Sequence, residues 1–207
     1  MGGSTGARWE WRIFSDSPIV RIARLLQKLK AANHKANSDI YIVAKDTKTN
    51  VKIRSGTLEV KAMTAVSELN AELWQPVFKT HFPVGTQAFF KVSAYVGADM
   101  PTSFGDGELP NSECLRSVEV QKRRDIFLVE NAIIEYGTIC IDGVTNWTFC
   151  VESCDLSQVE CFIRGVHMEK EPAESYVTFL KKFLNMQLTE TDYRVINITI
   201  GIRDNTE

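Results

Sequence analysis

The chain has 207 residues, of which 44% are hydrophobic and 24% are charged. This length and hydrophobic fraction suit one compact domain with its own core, and they exclude disordered, collagen-like and coiled-coil proteins. The 24 Lys and Arg residues nearly balance the 26 Asp and Glu residues, giving a formal net charge of −2. A globally basic nucleic-acid-binding protein is therefore excluded, although local clusters of charge are allowed.

The lengths of the apolar stretches and the number and spacing of the cysteines indicate the cellular compartment. No stretch approaches the roughly 18–20 apolar residues that cross a bilayer, and the N-terminal residues lack the apolar core of a secretory signal. The five cysteines form an odd set without a CxxC pair, which favours reduced thiols. We therefore predict a cytoplasmic protein that does not contact a membrane.

In the first half of the chain, alternation of apolar and polar residues predicts strands, and an apolar residue at every third or fourth position predicts helices. The predicted strands are residues 8–14, 39–44, 50–54 and 57–63. The predicted helices are residues 19–33, 67–80 and 86–96. Ser15 and Pro18 mark the start of the first helix, and Pro76 disturbs the second.

Residues 97–113 are rich in Gly, Pro and acidic residues, and they form the main predicted loop. The elements predicted after it are strands at 115–129, 131–142, 146–154 and 193–203, and helices at 155–167 and 172–185. Asp142-Gly143 predicts a tight turn, and Gly137 predicts a bulge. We expect a single domain over 1–207, with two related halves at about 8–96 and 114–203.

Several of the predicted strands carry charged residues two positions apart, which places those side chains on one face of a strand. The pairs are Glu10 and Arg12, Lys52 and Arg54, Glu59 and Lys61, and Lys122 and Arg124. The alternate positions are largely apolar. One interpretation is a half-exposed sheet with its charged face in water. The other is a closed or strongly curved barrel whose lumen holds a polyanion on cations and a divalent metal on carboxylates.

The ordered set E-x-R, K-x-R, E-x-K, K-x-R, D and E resembles the motifs of the CYTH superfamily, the triphosphate tunnel metalloenzymes. This group includes thiamine triphosphatases, inorganic triphosphatases and class IV adenylate cyclases. The similarity runs from about residue 8 to residue 180 and is carried by the motifs and their order. It implies an α+β fold, in which an eight-stranded antiparallel β tunnel, closed or strongly curved, is flanked by helices.

The resemblance also implies roles for the charged residues. The residues implied to hold phosphate oxygens are Arg12, Lys52, Arg54, Lys61, Lys122 and Arg124. The residues implied to position Mg²⁺ or Mn²⁺ are Glu10, Asp142 and Glu152, with Glu59 as an accessory carboxylate. Glu10 and Glu152 are then the catalytic residues, and a metal-held water attacks the terminal phosphorus.

The sequence departs from the family in its metal-binding half. The family's opening motif is E-x-E-x-K, whereas this chain has Arg8-Trp9-Glu10-Trp11-Arg12. Cys150 and Cys154 stand on either side of Glu152, where carboxylates are expected. The leading hypothesis is a protein that binds a triphosphate-bearing small molecule or inorganic polyphosphate and hydrolyses it with the metal. The alternative is a degenerate tunnel that binds a phosphorylated ligand without turnover.

Other chemistries fit the sequence less well. Cys161 and His167 share a predicted helix, where packing is the simpler explanation than a thiol nucleophile. Cys140 and Cys150 are candidates for a transition-metal or redox pair if neighbouring strands place them side by side. The triplet 122–124 invites nucleic-acid binding, which the net charge disfavours. A homodimer is compatible with the sequence.

Overall fold

The computed structural model describes residues 6–45, 47–98, 100 and 109–186. The strands are β1 (Arg8–Ser15), β2 (Asn33–Ala44), β3 (Thr49–Arg54), β4 (Thr57–Val66), β5 (Glu72–His81), β6 (Leu115–Val129), β7 (Ala132–Ile141) and β8 (Val144–Ser153). The helices are α1 (Val20–Leu26), α2 (Thr86–Val96), α3 (Leu156–Gly165) and α4 (Tyr176–Phe183). The strands are antiparallel and close into a barrel in the order β1-β5-β4-β3-β2-β6-β7-β8. The predicted α+β tunnel is confirmed, and the predicted strand 193–203 lies outside the described residues.

The outer face of the barrel is apolar and lies under helices. On one side, α1 and α3 pack against β1 and β8 through residues such as Ile22, Trp11 and Phe149. On another side, α2 packs on β2, β3 and β4, and Phe89 belongs to one buried cluster with Ile42 and Val51. The alternate residues of the same strands point into the lumen. Charged residues therefore face inward, as the alternation predicts for a closed barrel.

One end of the lumen is filled by α4. Tyr176 and Leu180 of this helix form a buried apolar cluster with Tyr41, Val43 and Val120, among others. The Lys181 ammonium fixes the helix by donating hydrogen bonds to the carbonyl oxygens of Lys45 and Thr47, at 2.7 and 2.6 Å. The tunnel is thus blind at this end.

One of the two shortest pairings of the described barrel joins β1 and β5, which share only the register Arg8–Glu10 with Glu72–Trp74. The segment that precedes α4 crosses this junction, since the Glu174 backbone N–H donates to the Arg12 carbonyl oxygen at 2.7 Å. The Glu72 carboxylate accepts a hydrogen bond from the Trp74 indole at 3.1 Å. The connection into α4 therefore contacts β1 just beyond the end of its pairing with β5.

Two of the helices predicted from the sequence are wrong in whole or in part. Residues 67–80 were expected to be helical, but β5 runs from Glu72 to His81 and pairs with β4 along its length. A register shift at Val60 and Lys61 accommodates Pro76, which has no N–H to donate. The helix expected over 19–33 ends at Leu26, because β2 begins at Asn33 and pairs with β6 from its first residue.

The turn predicted at Asp142-Gly143 is present, whereas the bulge predicted at Gly137 is not, because β7 pairs there in regular register with both β6 and β8. Asp142 and Gly143 have φ values of 47° and 81°, and they form the two-residue turn between β7 and β8. Gly137 lies where β6 approaches closely, and a Cβ there would stand 2.0 Å from the Arg123 carbonyl oxygen. Within the described residues, no helix is both long and apolar enough to cross a membrane.

Candidate functional site

The lumen holds a cavity of about 250 Å³. All six cations predicted to bind phosphate line it, together with Glu10, Glu59 and Glu152. The remaining lining residues are Tyr41, Asn50, Glu135 and Tyr176. The barrel therefore gathers side chains from residue 10 to residue 176 into one polar pocket.

Asp39 is the most deeply buried acid of the site and is fully enclosed. Its carboxylate accepts hydrogen bonds from Arg54, which reaches it with both Nε and Nη2, and from Lys122 Nζ at 2.7 Å. The Asn37 amide adds a further bond at 2.7 Å. Burial acts to raise the pKa of Asp39, but the two cations outweigh it and hold that pKa well below its usual range.

Glu135 forms a second centre between two arginines. Arg124 Nη1 lies 3.1 Å from both carboxylate oxygens, and Arg12 Nη2 lies 3.2 Å from Oε2. Burial acts to raise the pKa of Glu135, and the two guanidinium groups outweigh it and lower that pKa to about 2. Arg12 is held further by Glu10 at 2.9 Å and by the Thr148 hydroxyl at 3.1 Å. Both arginines are therefore fixed in direction before any ligand arrives.

The wall formed by β3 and β4 is less completely paired. Lys52 Nζ lies 3.3 Å from Glu59 Oε2, and Lys79 Nζ lies 2.8 Å from Glu59 Oε1. Burial, with the charges of Arg54 and Lys61, lowers the pKa of Lys52. In the described part of the chain, Lys61 makes no direct hydrogen bond or ion pair, and Asn50 Oδ1 is buried without a partner.

Glu10 and Glu152 lie opposite each other on β1 and β8. Burial and the Glu10 charge raise the pKa of Glu152. Burial also acts to raise the pKa of Glu10, but Arg12 and Lys61 outweigh it and lower that pKa. Arg8 places Nε 3.4 Å from Glu152 Oε1.

The floor of the cavity is aromatic. Lys122 Nζ lies 4.6 Å from the ring centre of Tyr41 and 4.1 Å from that of Tyr176, and Arg12 lies 4.5 Å above the Tyr176 ring. The Tyr41 hydroxyl accepts a hydrogen bond from Lys122 at 2.6 Å. The buried Tyr176 hydroxyl has no partner in the described residues. Cation–π contacts thus hold two of the cations over the closed end of the tunnel.

Asp142 is the one predicted site residue that lies apart from the others. It is exposed in the β7–β8 turn and does not line the cavity. The inward positions of β7 are the odd-numbered ones, because Glu135 is paired with Cys150 and Cys150 with Arg12. Sequence reasoning missed Glu135 and Asp39, the two carboxylates that each hold two of the site's cations.

The cysteine pair predicted as an alternative does not form. Cys140 lies opposite Thr145, whereas Cys150 lies opposite Glu135. The even-numbered residues of β7 face outward, so the two thiols are on different faces of the barrel. Burial raises the pKa of the Cys150 thiol well above its usual value, which favours the neutral form.

The expectation of Mg²⁺ or Mn²⁺ is an untested prediction, and the residues present fit such an ion poorly. In the described ranges, no three acidic, histidine or cysteine side chains converge closely enough to hold a metal ion. Glu10 and Glu152 come nearest to such a site. Each already contacts an arginine.

Comparisons with known proteins address the fold. No protein-family model matches the sequence, and no curated protein matches it. The crystal structure of a putative adenylate cyclase from Bacillus halodurans aligns with a TM-score of 0.53 at 12% identity, covering 84% of this chain and 97% of that chain. This likeness shows that the two chains share a fold, which confirms at that level the resemblance drawn from the motifs.

Two proteins from Pyrococcus horikoshii, PH1012 and PH1819, give TM-scores of 0.48 and 0.49, each at 13% identity. The alignments cover 82% and 84% of this chain, and 98% of each of those chains.

Proposed function

We propose that the tunnel binds the phosphate chain of a triphosphate-bearing small molecule or of inorganic polyphosphate. One observation carries this proposal: six Lys and Arg side chains from four strands converge on a single blind cavity. Lys and Arg side chains bind phosphate oxygens through charge-assisted hydrogen bonds, and arginine can do so with two parallel N–H groups.

The dimensions of the cavity suit a phosphate chain better than a whole nucleotide. Its volume of about 250 Å³ lies below the roughly 300–1,000 Å³ of pockets that enclose drug-sized ligands. Its lining consists of charged residues, one asparagine and two tyrosines. Because α4 fills the inner end, the phosphate chain enters from the open end and the rest of the molecule stays outside.

Unsatisfied polar groups in the cavity support this proposal. Lys61 makes no direct ion pair among the described residues, and Arg124 Nε, Asn50 Oδ1 and the Tyr176 hydroxyl are buried without hydrogen-bond partners. A buried polar group without a partner carries a desolvation cost of about 1–3 kcal/mol. The three donors among these groups match the acceptor oxygens of a phosphate chain.

A second candidate is hydrolysis of the same anion with Mg²⁺ or Mn²⁺. The observation that favours it is the direct cross-strand position of Glu10 and Glu152, since paired carboxylates suit a metal bridged to substrate phosphates. Glu10 and Glu152 are then the catalytic residues.

Calorimetry with tripolyphosphate, ATP and thiamine triphosphate tests the binding proposal. We expect saturable binding at one site per chain, together with thermal stabilisation of the protein. Lys52→Met, inside the cavity, should weaken binding, whereas Lys91→Met, at an exposed position of α2, should not. The absence of both heat and thermal stabilisation with all three compounds would refute the proposal.

Phosphate release from the same three compounds, with Mg²⁺ and Mn²⁺ added separately, tests the second candidate. Turnover that is lost in Glu10→Gln and Glu152→Gln would establish hydrolysis at this site. Binding without turnover would leave the non-catalytic tunnel as the function.

A further inference from the structure

We propose that the tunnel binds its phosphate chain directly, without a divalent cation, and that Arg8 and Lys61 supply the positive charge that a metal would supply. The inference rests on the proposed function and adds how the ligand's charge is neutralised. Binding without a metal favours the first candidate function over the second, because metal-dependent hydrolysis requires a bound divalent ion.

The first observation is that the carboxylates facing the cavity are already paired with cationic side chains. The contacts are Glu10 with Arg12 at 2.9 Å, Glu59 with Lys79 at 2.8 Å, Glu135 with Arg124 at 3.1 Å and Glu152 with Arg8 at 3.4 Å. Asp39, behind the cavity, is paired with Arg54 and Lys122. A divalent ion would have to displace one of these cations to gain a carboxylate oxygen.

The second observation concerns the space between Glu10 and Glu152. Of the carboxylates that line the cavity in the described barrel, these two alone lie directly opposite each other on adjacent strands. Three cations act on this pair: Arg8 contacts Glu152, Arg12 contacts Glu10, and the Lys61 charge lowers the pKa of both carboxyls relative to what burial alone would give. Glu135 also acts on both carboxyls, and it is itself held by Arg12 and Arg124. An Mg²⁺ ion, which requires near-octahedral oxygen ligands, would have to compete with these cations for each carboxylate oxygen.

The third observation is that the cations at this place can contact a phosphate themselves. Lys61 lines the cavity and has no direct partner among the residues that the structure describes. Arg8 does not line the cavity, but it contacts Glu152, which does, and 26% of its side chain is accessible. We therefore expect it to turn from Glu152 toward a ligand at the open end. Together they can neutralise a terminal and a preceding phosphate without an intervening ion.

Calorimetric titration with tripolyphosphate in EDTA, and again in excess Mg²⁺, tests the proposal on the wild-type chain. We expect full binding in EDTA. We expect equal or weaker binding in Mg²⁺, because the metal competes with the protein for the free anion. Binding that requires Mg²⁺ would overturn this inference and leave the proposed function standing. No binding in either solution would overturn both.

Titration of the wild-type protein with Mn²⁺ alone, followed by the electron paramagnetic resonance signal of the free ion, gives a second readout. We expect no stoichiometric binding. Uptake of one Mn²⁺ per chain that is lost in Glu10→Gln would refute the proposal, whatever happens with tripolyphosphate.

Arg8→Glu restores an acidic residue two positions before Glu10, and it should convert the site. We expect this variant to bind Mn²⁺, to lose at least tenfold in tripolyphosphate affinity in EDTA, and to recover that affinity with Mn²⁺. Arg24→Glu makes the same charge change at an exposed position of α1, and it should neither bind Mn²⁺ nor lose tripolyphosphate affinity. If a folded Arg8→Glu variant binds tripolyphosphate like the wild type and takes up no Mn²⁺, Arg8 does not stand in the metal's place. The wild-type titrations decide the question if that variant does not fold.

Discussion

Two groups of cations line the same tunnel and differ in how completely they are paired. The first group, the inner network, comprises Arg54 and Lys122 on Asp39, and Arg12 and Arg124 on Glu135. The second group, the open set, comprises the cations Lys52 and Lys61 on β3 and β4, together with the neutral Asn50 opposite Lys61. In the inner network each carboxylate holds two cations. In the open set Lys61 makes no direct pair within the described residues, and Asn50 Oδ1 is unsatisfied.

The difference teaches that a cation in a phosphate-type motif need not be held ready for phosphate. Lys122 and Arg124 occupy one K-x-R motif, yet Lys122 is 2% exposed and is already bonded to Asp39 and Tyr41. Removing one partner of a buried ion pair is costly, because it leaves an uncompensated charge. We therefore expect substitutions in the inner network to change stability first, and substitutions in the open set to change binding first.

The largest effect should come from Asp39→Ala. This change leaves the buried Lys122 ammonium without its carboxylate and removes the acceptor for Arg54. We expect the free energy of unfolding to fall by about 3–5 kcal/mol, measured by urea denaturation. Asp125→Ala, whose carboxylate is exposed and pairs with His34, should cost less than about 1 kcal/mol. Equal costs for the two variants would remove the distinction between the inner network and the surface pairs.

Gly137→Ala tests the strand geometry that positions Arg124. Gly137 lies opposite Arg124, and the added Cβ would stand 2.0 Å from the Arg123 carbonyl oxygen. The backbone of β6 would have to move, so we expect a loss of about 1–3 kcal/mol, again by urea denaturation. Gly165→Ala at the end of α3 has nothing within 4 Å of the new Cβ and should cause no loss. Tolerance of Gly137→Ala would mean that the two strands can separate without cost.

The fold could be predicted because its signal is local and repeated. Charges at alternate positions, with apolar residues between them, place the six cations on one face of their strands. The alternation left open whether that face lies in water or in a lumen, and the resemblance to the tunnel family implied the lumen. The strand β5 could not be predicted in the same way. Its local pattern around Leu73 and Trp74 is compatible with a helix, and pairing with β4 and β1 overrides that preference.

The missed carboxylates differ in how accessible they were to sequence reasoning. The turn at Asp142-Gly143 was predicted, and a two-residue turn sets the register of β7 against β8. Counting back from that turn places Glu135 opposite Cys150, on the face of Glu152, so Glu135 was within reach. Asp39 was not, because its role depends on Arg54 and Lys122, which approach it from two different strands.

Lys61→Met tests the open set. The substitution keeps the length of the side chain and removes a cation that has no direct partner in the described structure. A hydrogen bond to a charged group contributes about 1.5–3 kcal/mol, so we expect tripolyphosphate affinity to fall by about 10- to 100-fold. The free energy of unfolding should change by less than about 0.5 kcal/mol. Lys91→Met, at an exposed position of α2, is the matched control. An equal loss of affinity in both variants would contradict the assignment of Lys61 to phosphate binding.

Glu152→Gln should have the smallest effect, and its sign depends on pH. Burial, and then the Glu10 charge, raise the pKa of the Glu152 carboxyl in the folded state, so the Arg8 contact does not fully compensate them. Above the raised folded pKa the group is ionised in both the folded and the unfolded state, and the folded state alone carries the cost. As pH falls through the raised folded pKa, the folded carboxyl takes up a proton and the cost disappears.

We therefore expect Glu152→Gln to raise the melting temperature relative to wild type at pH 7 by about 2–4 °C for each kcal/mol relieved. The difference should vanish by about pH 4, where both forms of the protein carry a neutral side chain at this position. Glu113→Gln on the surface should give the same small difference at both pH values. A lower melting temperature for Glu152→Gln at pH 7 would show that the bond to Arg8 outweighs burial and Glu10, and that Glu152 belongs with the paired acids of the inner network.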